Sequence, residues 1–124
     1  MRRKLGLFVV SACLVAPLIV HAEDTGVRVP YSAAEYLKNF ALSVCISDGY
    51  KSEEVVKDSL AAAGGYLELG GLTMEAYEEA EALAKKFLAK EYQSKHGEKL
   101  TLMKCIDLFH NKELEQLVNK YDKK

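Results

Sequence analysis

The residues best equipped for chemistry lie in "LMKCIDLFHN", Leu102 to Asn111, where Cys105 precedes His110 by five positions. A cysteine beside a histidine offers a nucleophile and its base. It also offers half of a zinc site, and Cys45 and His96 could supply the other half. Structural zinc sites bring their ligands in close pairs, C-x2–4-C and H-x3–5-H, and no such pair occurs after residue 22. On one helix a five-residue step turns about 500°, which leaves the two side chains about 140° apart. A bend near His110 would loosen that geometry, but nothing else supports a Cys–His pair. Asp107 and His110 are neighbours at i,i+3, suited to a structural hydrogen bond. There is no Ser-His-Asp order, no glycine-rich phosphate loop after a strand, and no carboxylate pair in a recognisable motif. The sequence therefore predicts no catalytic residue, no metal ligand and no cofactor, hence no enzyme.

Which role the cysteines take depends on the compartment. Met1-Arg2-Arg3-Lys4 leads into the apolar run "LGLFVVSACLVAPLIV" and then "VHAED". This order of cationic, apolar and small-residue segments is that of a secretory signal, with cleavage expected after Ala22. The apolar run is shorter than the ~20 residues a membrane span needs. "VSAC", ending at Cys13, offers a lipoprotein box as a minor alternative, but the run continues past it to Val20. Residues 1–22 are read as signal, 23–30 as a flexible leader, and 31–124 as one helical domain. The expected location is the periplasm, with no membrane attachment after cleavage.

Loss of Arg2, Arg3 and Lys4 leaves 14 bases against 18 acids. That balance argues against nucleic-acid binding, which shows a basic stripe, and weakly for a basic partner. Two cysteines remain, an even count that favours a disulfide in an exported chain. Cys45 and Cys105 each fall on the apolar stripe of a predicted helix, and two helices packed by those stripes would bring the sulfurs together. The bridge would stabilise the small domain by roughly 4 kcal/mol.

Helical signals follow one another along the rest. Ser32 with Glu35 forms a capping box, with Tyr31 and Tyr36 as its staple. Leu37, Phe40, Ala41, Val44 and Cys45 follow at helical spacing, and Gly49 suits a left-handed helix end. Ser52 is the next expected cap, with a stripe of Val56, Leu60, Ala63 and Leu67. Gly64-Gly65 inside it predict a break or the close approach of another backbone. "ELGGL", Glu68 to Leu72, reads as a turn. Thr73 caps a third helix striped by Tyr77, Ala80, Ala84, Phe87 and Leu88, with Leu72 and Tyr77 as a second staple. Its acids come first and its lysines last, which suits the helix dipole; Glu81 and Lys85 make an i,i+4 pair. "YQSKHGEK", Tyr92 to Lys99, is a polar loop. Leu102, Cys105, Ile106 and Phe109 form a fourth stripe. Leu114, Leu117, Val118 and Tyr121 form a fifth after a phase break near Asn111. No strand alternation or internal repeat appears. The fold class is all-α: one small domain of about five helices, stapled by one disulfide.

"YLKNFALSVC" (Tyr36–Cys45), "AAAGGYLELGGLTMEAYE" (Ala61–Glu78) and "YQSKHGEKLTLMKCIDLFHN" (Tyr92–Asn111) together resemble the type VI secretion amidase immunity proteins, the Tai/Rap group. The resemblance is to the branch that neutralises the fourth class of amidase effectors. It covers most of the chain after the signal; residues 23 to 30 match nothing in it. It implies a periplasmic antidote, all-helical, with a disulfide at the positions of Cys45 and Cys105. The implied partner is a cognate type VI amidase effector, a papain-like cysteine peptidase that cuts cell-wall peptide cross-links. The resemblance also implies a homodimer that engages two toxin molecules in a 2:2 complex. Inhibition would come from a protruding loop that plugs the toxin's cleft, while a helix of the other subunit adds contacts. The candidate loop is Ser94, Lys95, His96, Gly97 and Glu98: polar, flexible at Gly97, and set between two strong helices. A possible secondary interface is Tyr66, Glu68, Leu69, Gly70 and Gly71, with Tyr66 as an aromatic anchor. For both segments the competing reading is an ordinary connection or internal packing. The alternative function, from another class, is a small periplasmic chaperone of the acid-stress type, which shares the size, the export, the helices and the single disulfide.

Overall fold

The computed structural model describes residues 30–122. The expected signal peptide, Cys13 and nearly all of the expected leader lie outside those residues. Five helices follow in order: α1 (Ala33–Gly49), α2 (Glu53–Gly70), α3 (Met74–Leu88), α4 (Thr101–Phe109) and α5 (Lys112–Tyr121). Among the described residues there is no strand.

Helix α1 begins where the sequence predicts. The Ser32 hydroxyl accepts the Glu35 amide at 3.2 Å, and the Glu35 carboxylate accepts the Ser32 amide at 2.8 Å. Hydrogen bonds from Ser32 hold the Glu35 carboxyl below its ordinary range. The Tyr31 and Tyr36 rings meet edge to face at 5.6 Å. The other end differs from expectation. Gly49 is not left-handed; it closes the helix, and Tyr50 caps it in an extended conformation. Its value is steric, because a Cβ there would lie 2.3 Å from Thr101 Cγ2 and 2.9 Å from Leu88 Cδ2.

Three expectations about α2 are corrected. The helix runs unbroken through Gly64 and Gly65, and a Cβ at either would meet nothing within 4 Å. The pair is therefore neither a break nor a close contact within the chain. Residues 68 to 70 are helical rather than a turn, and only Gly71 takes the left-handed conformation that ends the helix. The buried positions are Ser59 and Ala63, while Leu60 is 53% exposed. Two small residues one turn apart let α2 lie close on α1, its main neighbour. The Ser59 hydroxyl satisfies itself on the Val55 carbonyl at 2.6 Å.

Ser52 and Thr73 mark the starts of α2 and α3 as expected, in extended conformation, but neither side chain makes a capping hydrogen bond. Helix α3 buries Ala76, Tyr77, Ala80, Ala84 and Phe87. Asn111 starts α5, its side chain accepting the Glu113 amide at 2.8 Å, and α5 buries Leu114 and Val118. The phase break is thus a new helix.

Helix α1 is the hub, touching each of the other four. The Cys45–Cys105 disulfide fastens α4 to it, with a Cα–Cα separation of 5.6 Å and both cysteines fully buried. This covalent link sets the rotation of α4. With Cys105 turned inward, Leu108 fills the core at i+3, and the expected stripe is displaced: Leu102 and Ile106 are 51% and 46% exposed. Tyr77, 2% exposed, packs edge on against Phe40 at 4.9 Å. Its hydroxyl donates to the Leu67 carbonyl at 3.2 Å, so this one side chain ties α3 to the last turns of α2.

Candidate functional site

The segment from Ala89 to Leu100 is the longest connection among the described residues. It is held from both sides at its base. Lys104, on α4, donates to the Leu88 carbonyl at 3.1 Å, where α3 ends, and its ammonium lies 5.7 Å from the centre of the Tyr92 ring. The Tyr92 hydroxyl donates to Asp107 at 2.6 Å, and that carboxylate pushes the phenol above its ordinary value. Asp107 thus serves Tyr92, rather than His110 as the sequence suggested.

Beyond the base, the chain turns on Ser94. Its hydroxyl oxygen accepts the amides of His96 and Glu98, each at 3.2 Å, and the hydroxyl donates to the Glu98 carboxylate. These bonds and the Glu98 and His96 amides hold the Glu98 carboxyl below its ordinary range. Gly97 sits at φ +81°, and Leu100 at φ +49°, the one non-glycine residue with positive φ among those described. A left-handed leucine is strained by about 1 kcal/mol or more. It starts α4 abruptly, with no side chain capping the new helix.

The predicted loop residues therefore sit together in one ordered turn. Lys95, His96, Gly97 and Glu98 are exposed, whereas Ser94 is half-buried and occupied with its neighbours. Leu102, Met103 and Ile106, each about half exposed, continue from the loop along α4. They line a groove of about 690 Å³ that Glu98 and Lys99 border from the loop side. This apolar patch was hidden in the sequence, because Leu102 and Ile106 read as core.

The second predicted surface is not beside the first. Gly70 and Gly71 precede α3 and the loop follows it, so about 20 Å of helix separates them. The Tyr66 ring lies 6.3 Å from that of Tyr36 and packs against the core. Gly70 serves the interior: a Cβ there would come within 2.3 Å of the Tyr77 oxygen. Glu68 and Leu69 are exposed, Leu69 by 55%.

Cys105 is bonded to Cys45, so among the described residues no thiol faces a histidine. His110 is exposed and caps α4, and His96 is exposed in the loop. Among the described residues no group of three or more His, Cys, Asp or Glu is placed to hold a metal ion. No described helix is long and apolar enough to cross a membrane. The 94–98 segment is thus an ordered polar turn flanked by apolar side chains.

The chain is similar to known proteins over this same region. A family model described as type VI secretion system amidase immunity protein, Tai4, matches residues 35–118. A chain from the Tae4/Tai4 effector–immunity system of Salmonella typhimurium is 39% identical, with a TM-score of 0.71 over 76% of this chain and 93% of that one. A chain of the Enterobacter cloacae Tae4–Tai4 complex shares the fold at 20% identity, with a TM-score of 0.63 over 71% of this chain and 90% of that one. So does one from the type VI-secreted toxins and self-resistance proteins of Serratia marcescens, at 22% identity and a TM-score of 0.65 over 76% of each chain. No curated protein matches the chain. The family model spans more than half of the chain and the Salmonella relative shares its fold, and the chain belongs to the Tai4 family of type VI secretion amidase immunity proteins.

Proposed function

We propose that the chain is a periplasmic inhibitor that neutralises a Tae4-class amidase, a papain-like cysteine peptidase, by placing the 94–98 loop in its active-site cleft. Immunity proteins are inhibitors rather than enzymes, and the spent cysteines accord with that. The observation that carries the occlusion reading is the loop itself. It is braced at its base by Tyr92 and Lys104, closed internally by Ser94, and exposed at Lys95 and His96. A loop already ordered loses little conformational freedom on entering a cleft. The apolar side chains of Leu102, Met103 and Ile106 beside it suit the dry part of an interface.

Solved relatives pair Tae4 with Tai4, including Salmonella typhimurium Tae4 with Enterobacter cloacae Tai4. On that basis the partner is the cognate amidase; the homodimer with two toxin molecules is what the sequence resemblance implies. A signal cut after Ala22 would deliver residues 23–124, leader and helical domain, to the periplasm, where the disulfide forms. The secondary surface, Glu68 and Leu69 with Tyr66 behind them, is assigned to contacts made by the second subunit. No observation favours the acid-stress chaperone.

The test of location and role is protection in cells. A Gram-negative host that sends the amidase to its periplasm should survive with the full chain and lyse with residues 23–124 kept in the cytoplasm. Equal protection by the two forms would contradict the periplasmic site, and protection by neither would contradict the inhibitor.

A further inference from the structure

We infer that Ser94 is a positioning residue: through its hydroxyl it holds the loop in the inhibitory shape and does not itself enter the toxin. The inference rests on the reading of residues 94–98 as the toxin-contacting loop, and it assigns the residues of that loop to two different tasks. Ser94 Oγ accepts two amides, from His96 and Glu98, and donates its proton to the Glu98 carboxylate. A hydroxyl has one donor and two acceptor positions, so all three are used inside the loop. Nothing is left over for a partner. The two residues that follow it behave differently. Lys95 and His96 form the bend of the loop and are exposed, and among the described residues neither side chain makes a hydrogen bond or an ion pair.

The geometry explains why a serine belongs there. Gly97 reverses the chain at φ +81°, and with only open space around its Cα the fold imposes no steric wall to hold that reversal. The support must come from bonds within the loop. Serine is short enough for one oxygen to reach the amides two and four residues on, a local side-chain-to-backbone pattern that competes well with solvent only when several bonds share it. The Glu98 carboxylate completes the set by taking the hydroxyl proton, which orients the lone pairs toward the amides. Tyr92 on Asp107 then fixes the direction in which the closed loop points. Without the Ser94 oxygen the loop would sample many shapes. Only the fraction in the inhibitory shape would bind, and the apparent affinity would fall by that fraction.

The test uses the full mature chain, its cognate type VI amidase, and the variants Ser94→Ala, Ser94→Thr and Gly97→Val. The expected result for Ser94→Ala is inhibition weakened about tenfold, mainly through slower association, with an unchanged melting temperature. Ser94→Thr, which keeps the oxygen, should restore most of it. In the free protein, the amides of His96 and Glu98 should exchange faster in Ser94→Ala than in the wild type and in Ser94→Thr. Three results would overturn the assignment. If Gly97→Val weakens inhibition and Ser94→Ala does not, the loop matters but its serine closure does not. If Ser94→Thr is as defective as Ser94→Ala, the size of residue 94 matters and its hydroxyl does not, which points to direct contact. If both Gly97→Val and Ser94→Ala inhibit like the wild type, the loop reading fails, and the assignment with it.

Discussion

The Tyr92 hydroxyl reaches 2.6 Å to Asp107 and joins the start of the loop to the middle of α4. Lys104 stacks on the same ring and holds the end of α3 by the Leu88 carbonyl. The loop is therefore aimed by α4, and α4 is aimed by the disulfide. Tyr92→Phe keeps the ring under Lys104 and removes only the hydrogen bond. We expect inhibition of the amidase about threefold weaker, the scale of one hydrogen bond, with the melting temperature unchanged. An unaltered inhibition curve would show that this brace does not aim the loop.

Three glycines of one helix should respond to alanine with opposite signs. Gly64 and Gly65 are mid-helix with open space around them, so Gly64→Ala and Gly65→Ala should each stabilise the protein by about 0.5–1 kcal/mol. Gly70→Ala would press a methyl into the buried Tyr77 oxygen and should destabilise it by about 1–3 kcal/mol. Urea unfolding of the three variants decides this. If Gly64→Ala destabilises the protein, then another chain packs on that face in the native assembly.

The disulfide closes a 60-residue loop and lies fully buried. The native mature chain, residues 23–124, should show no free thiol, and a mild reductant should leave the bridge intact until denaturant is added. Replacing both cysteines, Cys45→Ala with Cys105→Ala, should cost roughly 4 kcal/mol, read from chemical denaturation. Rapid reduction of the native protein would contradict the burial of the bridge.

Glu98 gives the loop a defined pH dependence. Its carboxyl titrates below the ordinary value because Ser94 and two amides favour the charged form. For a lowered pKa the stabilisation is fully present above the unfolded value and is lost as pH falls through the folded one. The side-chain carboxyl resonance of Glu98 should thus titrate with its midpoint below 4.5, the ordinary glutamate value. A transition centred at or above that value would mean that the carboxylate is not held.

Much of the scaffold was legible because its signals are local. The Ser32–Glu35 box, the Tyr31–Tyr36 staple and the Asn111 cap each involve residues within five positions, and all three form as read. The disulfide followed from cysteine count, export and the stripes of two helices. The misreadings share a different cause. Gly49 and Gly70 answer to Thr101 and Tyr77, which reach them from other helices. The exposed side of α4 follows from the cystine, which turns Leu102 and Ile106 outward although periodicity placed them with Cys105. In the loop the residue types were visible but their division of labour was not. The one available signal was a serine three residues before a glycine, a pattern that favours hydroxyl-to-amide bonds.

Stoichiometric inhibition of a cell-wall amidase can be read from a single titration. The purified mature chain is added to its cognate type VI amidase while cleavage of a peptidoglycan cross-link peptide is followed. Activity should fall linearly to zero at one chain per amidase, as for a tight 2:2 complex. Full amidase activity in the presence of excess chain would contradict it.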